Sequence, residues 1–235
     1  MSATAPAAIT ARRTRIKICG LTREQDVDAA VAAGADAVGF VLYAASARAV
    51  SMQRAAELAG RLPPFVTPVL LFVNEAPDAV RAALQRIPGA MAQFHGDETP
   101  AQCLQSTAGG AWRFLRAARI PLGLAGAAFD LVKYASDFAA AQAILLDAHV
   151  EGYGGGGKAF DWSLLPHVAN AHLVLSGGLT PANVGDGIAL LRQRTSAPAV
   201  DVSSGVEASK GIKDAGKIRE FVAAVHAADA LALPS

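Results

Sequence analysis

Eight short apolar segments, which recur every two to three dozen residues, constrain the fold of this chain more than any other feature of its sequence. They are rich in Val, Ile, Leu and Phe. Most are nearly continuous in apolar character, as expected for parallel strands that are covered by helices. The predicted strands are residues 15–19, 37–43, 67–73, 91–95, 113–117, 143–147, 172–176 and 199–203.

The segments between the predicted strands carry helix start and stop signals. The predicted starts are a capping-box pair, a single capping residue and two prolines suited to a first turn: Thr22 with Gln25, Ser51, Pro77, and Thr180 followed by Pro181. Gly34 is a stop signal for the first helix. The segment 122–135 is the least regular, because proline and glycine residues lie beside or within it. Strands that alternate with helices indicate βαβ units, and eight of them predict an α/β fold, a single (β/α)8 TIM barrel.

The length and composition agree with one such domain. The chain has 235 residues, of which 52% are hydrophobic and 17% charged, so it can bury a large core. We expect residues 15–235 to form the (β/α)8 barrel catalytic domain. Residues 1–14 are rich in Ala and Thr and lack the apolar run of a signal peptide, which predicts a disordered N-terminal leader. The apolar runs elsewhere are far shorter than the ~20 residues of a membrane-spanning helix, so no membrane partner is expected.

The charge balance and the cysteine content limit the other partners. The formal net charge is +1, which provides no basic field for non-specific nucleic-acid binding, so no nucleic-acid partner is expected. Cys19 and Cys103 are too few for a disulfide framework, which favours a reducing cytoplasmic location. We expect a monomer and leave a homodimer open.

Polar residues stand at the C-terminal ends of the predicted strands, where barrel enzymes carry their catalytic groups. Cys19 ends the first strand and His95 the fourth. Asp147 ends the sixth strand, Asp201 interrupts the eighth, and Arg48 follows the second. Several have a structural alternative as a buried thiol, a satisfied core histidine or a surface arginine. A carboxylate that closes an apolar run is harder to explain without a partner or a purpose, because its burial is costly. No metal is expected, since the candidate ligands lack the short spacing of a metal site.

Glycine-bearing turns after three late strands predict a phosphate site. Glycine lets the backbone approach a phosphate closely, and successive N–H groups bind anions. The loops after strands seven and eight are where barrels commonly build such a site. Alone, the glycine run at 154–157 has the alternative of a flexible loop. The predicted phosphate-binding residues are Gly155, Gly156, Gly157, Gly177, Gly178, Ser203, Ser204 and Gly205. No nucleotide cofactor is indicated, because Walker-type and dinucleotide-binding patterns are absent from the sequence.

Five motifs together resemble the phosphoribosylanthranilate isomerase family of tryptophan biosynthesis. They are KICGLT at 17–22, QFHG at 93–96, GGGG at 154–157 with FDW at 160–162, SGGL at 176–179 and DVSSGVE at 201–207. The motifs occur in the family's order, and the resemblance covers residues 15–226. It implies an enzyme without cofactor that binds a small phosphorylated substrate. The implied reaction is an Amadori rearrangement of N-(5-phosphoribosyl)anthranilate to 1-(2-carboxyphenylamino)-1-deoxyribulose 5-phosphate.

The resemblance also implies roles for the polar residues at the strand ends. Cys19 falls at the family's general base and Asp147 at its general acid. Arg48 falls at the residue that holds the anthranilate carboxylate. We expect His95 and Asp201 to bind substrate, with Asp201 at a ribose hydroxyl. An acid must hold its proton at neutral pH, which apolar neighbours and a nearby Asp201 carboxylate would favour.

Two positions depart from the family's pattern. Ala47 stands where a proline usually precedes the arginine, so we expect Arg48 to be less preorganised. Gly156 stands where a threonine or serine is frequent, which removes a hydroxyl donor to the phosphate.

Lys17 lies two residues before Cys19, so both side chains point to the same face of the first strand, toward the barrel interior. Lys17 is therefore expected to form a buried ion pair with a structural role.

Three other interpretations are weighed against this one. The histidine-pathway isomerase performs the same rearrangement on a similar barrel, but is expected to carry an aspartate in place of Cys19. Indoleglycerol phosphate synthase depends on a lysine and glutamate pair that is not evident at these strand ends. A non-catalytic sugar-phosphate sensor would need only the phosphate site, and it would return its ligand unchanged.

Overall fold

The computed structural model describes residues 13–121, 129–149, 171–195 and 197–231. Eight parallel strands form a closed barrel in chain order, in which the first strand pairs with the second and with the eighth. The strands are β1 (Arg15–Cys19), β2 (Ala37–Val41), β3 (Thr67–Phe72), β4 (Met91–Phe94), β5 (Phe114–Pro121), β6 (Ala143–His149), β7 (Leu173–Leu175) and β8 (Ala199–Val202). The predicted (β/α)8 barrel is therefore confirmed.

Helices cover the outside of the barrel. In the described residues they are α1 (Glu24–Ala33), α2 (Met52–Ala59), α3 (Pro77–Arg86), α4 (Pro100–Ser106), α5 (Leu131–Asp137), α6 (Val184–Arg192) and α7 (Ala215–Leu231). A two-stranded antiparallel hairpin, β9 (Glu207–Ser209) and β10 (Ile212–Lys213), lies between β8 and α7. Within this described part of the chain, no helix is long and apolar enough to span a membrane.

The predicted helix signals are partly confirmed. The side chain of Ser51 caps α2, and Pro77 lies in the first turn of α3. Gly34 ends α1 in the left-handed conformation, at φ 97°. The capping box predicted at Thr22 is wrong, because α1 begins at Glu24 without a side-chain cap and the Thr22 hydroxyl donates instead to the carbonyl of Gly211.

The start predicted at Thr180 is also wrong. Helix α6 begins at Val184, and Thr180 lies in the preceding turn, where its N–H donates to the Asn183 side chain. Helix α5 begins at Leu131. The earlier part of the irregular segment, residues 122–128, lies outside the described residues, as do residues 1–12 of the predicted leader.

The core has two parts that follow the alternation of side chains along the strands. Most of the apolar side chains pack between the barrel and its helices. A smaller apolar cluster fills the barrel interior: Val69, Leu115, Ala117, Ala143, Leu145 and Val174. Side chains two residues apart point to the same face of a strand. The side chains of Gln93 and Asp147 therefore also point into the barrel. They lie nearer the C-terminal ends of their strands than the apolar interior cluster does.

Candidate active site

A cavity of about 690 Å³, counted with the solvent at its mouth, opens at the C-terminal ends of the barrel strands. The predicted site residues that line it are Cys19, Arg48, His95, Asp147, Gly177, Gly178, Asp201, Ser203 and Ser204. The fold thus brings side chains from distant parts of the sequence to one site.

Cys19 is the last residue of β1 and is almost fully buried. Its partner across the strand pair is Gly39, where an added Cβ would lie 2.6 Å from the thiol sulfur. Burial raises the pKa of the Cys19 thiol, and the ammonium of Lys17 opposes this increase. A cation beside the sulfur favours the thiolate, which is the form that accepts a proton.

Lys17 and Asp201 form the predicted buried ion pair. The Lys17 Nζ lies 2.8 Å from Oδ1 of Asp201, and the hydroxyl of Ser176 donates to Oδ2 at 3.3 Å. Burial alone would lower the pKa of Lys17, but the charges and hydrogen bonds of Asp201 and Cys19 together outweigh burial and hold this pKa above its ordinary value. Both carboxylate oxygens of Asp201 therefore already have protein partners. The expected contact between Asp201 and a ribose hydroxyl did not take these partners into account.

His95 joins Gln93 to Asp147 in a hydrogen-bonded row. The amide nitrogen of Gln93 lies 3.1 Å from Nδ1 of His95, and Nε2 of His95 lies 3.0 Å from Oδ2 of Asp147. In this orientation of the Gln93 amide its nitrogen donates, so Nδ1 of His95 is the acceptor. A neutral His95 then carries its proton on Nε2 and donates it to Asp147. This arrangement leaves Oδ1 of Asp147 as the oxygen that can carry a transferable proton.

Arg48 is held by an ion pair that the sequence did not predict. Its Nε and Nη2 donate to the two carboxylate oxygens of Glu207, at 2.6 and 2.9 Å. Glu207 also accepts from Nζ of Lys213 at 2.9 Å. Burial tends to raise the pKa of Glu207, but the hydrogen bond from Arg48 and the charge of Lys213 hold it below its ordinary value. The expected loss of preorganisation at Ala47 is thus offset by a bidentate contact to a different element.

The predicted phosphate loops line the same cavity as far as they are described. Gly177 and Gly178 adopt φ values of 73° and 70°, which L side chains rarely adopt. Ser203 is held by Lys213, whose Nζ donates to its carbonyl at 2.9 Å and to its hydroxyl at 3.2 Å. Gly205 has a packing role, because an added Cβ would lie 1.9 Å from the carbonyl oxygen of Leu179. Gly155, Gly156 and Gly157 lie outside the described residues.

Three residues of the site had no functional role in the sequence-based prediction. Gln93 and Glu207 stand in the quoted motifs, and Lys213 stands in none. The inward parity of Gln93, two residues before His95, is a signal that could have identified it. The Glu207 and Lys213 contacts depend on where the hairpin after β8 packs, and the sequence carries no local signal of that geometry. Among the described residues, no cluster of His, Cys, Asp and Glu side chains is suited to hold a metal ion.

The fold and the cavity together define a β/α-barrel enzyme whose site lies at the C-terminal ends of the strands. The family model of N-(5'-phosphoribosyl)anthranilate (PRA) isomerase matches residues 16–224. The chain belongs to this family. An N-(5'-phosphoribosyl)anthranilate isomerase from Methylibium petroleiphilum is 63% identical over 218 residues, which are 93% of this chain and 96% of that protein.

Solved structures agree with this assignment. The phosphoribosyl anthranilate isomerase of Thermotoga maritima superposes with a TM-score of 0.78 at 38% identity, and the match covers 91% of this chain and 99% of that one. A phosphoribosyl anthranilate isomerase in complex with reduced 1-(o-carboxyphenylamino)-1-deoxyribulose 5-phosphate superposes with a TM-score of 0.72 at 33% identity, again over 91% and 99% of the two chains.

Proposed function

We propose that this chain converts N-(5-phosphoribosyl)anthranilate into 1-(2-carboxyphenylamino)-1-deoxyribulose 5-phosphate in L-tryptophan biosynthesis, with Asp147 as general acid and Cys19 as general base. The observation that carries these roles is that both residues line one cavity from strands three apart around the barrel. A sugar bound between them would meet the acid on one side and the base on the other. The family's substrate chemistry requires such a pair.

Asp147 would protonate the ribose ring oxygen from Oδ1. The bond between that oxygen and C1 then breaks, and the nitrogen lone pair forms a protonated imine. His95 supports this step by donating to Oδ2, which fixes the carboxyl group and its orientation. Such positioning of a proton donor contributes to rate because proton transfer depends on a short donor–acceptor distance.

Cys19 would remove the proton from C2 of the imine. The C2–H electron pair forms a C1–C2 double bond and neutralises the imine nitrogen, and the resulting enol becomes the ketose when a proton moves from oxygen to C1. Carbon C1 is reduced and C2 oxidised within one molecule, so the rearrangement needs no redox cofactor. The imine cation beside the sulfur and the Lys17 ammonium both favour the thiolate that this step requires.

The two anionic ends of the substrate would bind at different parts of the cavity. Arg48 would bind the anthranilate carboxylate, since a guanidinium binds a carboxylate through two parallel hydrogen bonds. The backbone at Gly177, Gly178 and Ser204 would receive the phosphate, and the glycines at 155–157 stay sequence-based predictions for the same role. Asp201 would reach a ribose hydroxyl only by sharing an oxygen that Lys17 or Ser176 already binds.

The test is to supply the purified protein with freshly generated phosphoribosylanthranilate and to follow the loss of its fluorescence against a control without enzyme. We expect rapid loss with the native protein and almost none with Asp147→Asn, whose substrate affinity should stay within about tenfold because an amide preserves the shape of the carboxyl group. A near-native rate for Asp147→Asn would contradict the role of Asp147. No acceleration by the native protein would overturn the reaction and would direct the assay to the histidine-pathway substrate, and then to ligand return without change.

We further propose that the protein acts in the cytoplasm, where its two buried cysteines stay reduced. The monomeric state expected from the sequence remains a prediction. Light scattering of the purified chain at several concentrations measures the mass directly, and a mass of about 48 kDa, twice the 24.0 kDa of the chain, would replace the monomer with a homodimer.

A further inference from the structure

We propose that Glu207 is a positioning residue that holds Arg48 in the orientation needed to bind the carboxylate of the substrate. The inference rests on the proposed function and extends it to a residue that does not contact the substrate itself. It assigns a functional purpose to the buried charge cluster of Arg48, Glu207 and Lys213.

The cluster is almost completely removed from water. The side chains of Arg48, Glu207 and Lys213 are 8%, 6% and 0% exposed. Buried charges are costly unless they are paired and hydrogen-bonded, and here each charge has a partner at 2.6 to 2.9 Å. Such a cluster is stable only when its hydrogen bonds are well formed, so the position of the Arg48 guanidinium is fixed before any ligand binds.

The geometry of the guanidinium shows what remains for a ligand. A guanidinium has five N–H donors, which form one fork along its side, from Nε and one Nη, and another at its end, from both Nη atoms. Glu207 occupies the side fork through Nε and Nη2. Within the described ranges the Arg48 side chain donates to no other group, so the end fork remains for a second carboxylate. Because Arg48 lines the cavity, that second carboxylate would come from a ligand in the cavity.

Contacts with other residues also restrict the position of Arg48. The Arg48 N–H donates to the side-chain oxygen of Ser46 at 3.1 Å. The aliphatic part of Arg48 packs over Gly20, where an added Cβ would lie 2.6 Å from Cδ. The carbonyl of Ala47 faces Gly211 in the hairpin that carries Glu207, where an added Cβ would lie 2.7 Å from that oxygen. The hairpin therefore supports the Arg48 loop at the point where the family's proline is missing.

The direction in which substrate affinity changes when Glu207 is neutralised distinguishes a positioning role from a purely electrostatic one. The three side chains together carry a charge of +1. Replacing Glu207 by a neutral residue raises the positive charge beside the cavity, which by long-range attraction alone would tighten the binding of an anionic substrate. The same replacement removes one of the two acceptors of Arg48 and leaves two buried cations without a shared anion. Positioning therefore predicts weaker binding, which is the opposite sign.

The experiment measures kcat and KM for Glu207→Gln with two substrates. One is phosphoribosylanthranilate, and the other is the corresponding phosphoribosylaniline, which lacks the carboxylate. We expect KM for the first substrate to rise about tenfold, the size of one lost charge-assisted hydrogen bond, with kcat within about threefold. We expect kcat/KM for the aniline substrate to change less than about twofold.

Two further variants complete the design. In an Arg48→Ala background, Glu207→Gln should add almost nothing to the rise in KM, because a residue that acts through Arg48 has no effect without it. Asp229→Asn is the matched stability control. Its carboxylate accepts hydrogen bonds from the backbone and hydroxyl of Thr14, at the opposite end of β1 from the cavity. It should lower stability without changing the ratio of kcat/KM for the two substrates.

Each outcome decides for or against the proposal. A lower KM for Glu207→Gln would mean that Glu207 acts as a charge and would overturn the positioning role. Equal losses with both substrates would mean that the residue supports the fold or the phosphate loop through Lys213. If the native protein converts neither substrate, the proposed function fails instead, so the two failures are distinguishable.

Discussion

The side chain of Cys19 is packed against a strand position where only a hydrogen atom fits, which makes Gly39→Ala a sensitive test of how the thiol is placed. An added Cβ would lie 2.6 Å from the sulfur, 3.1 Å from Cα of Cys19 and 3.2 Å from its Cβ. Ordinary contact begins at 3.4 Å, so the sulfur must move by at least 0.8 Å or the two strands must separate. The backbone of β1 cannot move freely, because it is hydrogen-bonded to both β2 and β8.

The magnitude follows from these distances. Adding a methyl group to a well-packed core costs about 1–3 kcal/mol of stability. For a domain of this size, that corresponds to about 2–4 °C in Tm for each kcal/mol. A misplacement of about 1 Å costs about 100-fold in catalytic rate when the displaced group takes part in the reaction. We therefore expect Gly39→Ala to lose far more activity than its modest loss of stability would explain.

The assay combines urea unfolding with steady-state kinetics on phosphoribosylanthranilate. The urea midpoint should fall with an unchanged m-value, and kcat should fall by about 100-fold at a temperature where the variant is fully folded. Gly185→Ala is the matched control, since Gly185 lies in α6 with no atom within 4 Å of the added Cβ. That variant should gain about 0.5–1 kcal/mol and keep its activity. A Gly39→Ala protein with native stability and native kcat would refute both the packing argument and the placement of the base.

Three other perturbations test separate parts of the structure. Cys19→Ser should lose most of its kcat because a hydroxyl ionises far less readily than a thiol, and retained turnover in the fluorescence assay would point to a different base. Nitrogen NMR of the His95 ring should find Nε2 protonated and Nδ1 unprotonated, and Gln93→Leu should disturb this state; a protonated Nδ1 in the native protein would contradict the row of hydrogen bonds. Burial raises the pKa of the Cys103 thiol to about 12, whereas a thiol in the unfolded chain ionises near ~8.5. The folded state thus keeps a proton that the unfolded state releases, so stability is lost as pH rises from about 8.5 toward 12, with a slope approaching 1.4 kcal/mol per pH unit for this group. Urea midpoints from pH 7 to 10.5 should show a shallower decline in Cys103→Ala, and equal slopes would refute the assignment to this thiol.

The strands were predictable because their signal is local. Parallel strands covered on the outside by helices need nearly continuous apolar runs, and each of the eight predicted runs coincides with a strand. Boundaries were less predictable. Strand β5 continues to Pro121, four residues past its predicted end, because its backbone pairs with β6 along that whole length. The start of α1 differs for a similar reason, since the Thr22 hydroxyl is used by the distant Gly211 carbonyl rather than by its own helix.

The candidate site divides in the same way. The sequence by itself determined the barrel, the family, and which polar residues end the strands, because strand ends in a barrel meet on one face wherever they lie in the chain. The sequence also predicted that the side chains of Lys17 and Cys19 point to the same, inward face of β1. What only the tertiary structure decided is which polar groups pair: Asp201 with Lys17, His95 with Asp147, and Arg48 with Glu207. Partner choice depends on distances of a few ångströms between side chains that are up to 184 residues apart, and only the closed barrel with its folded hairpin sets those distances.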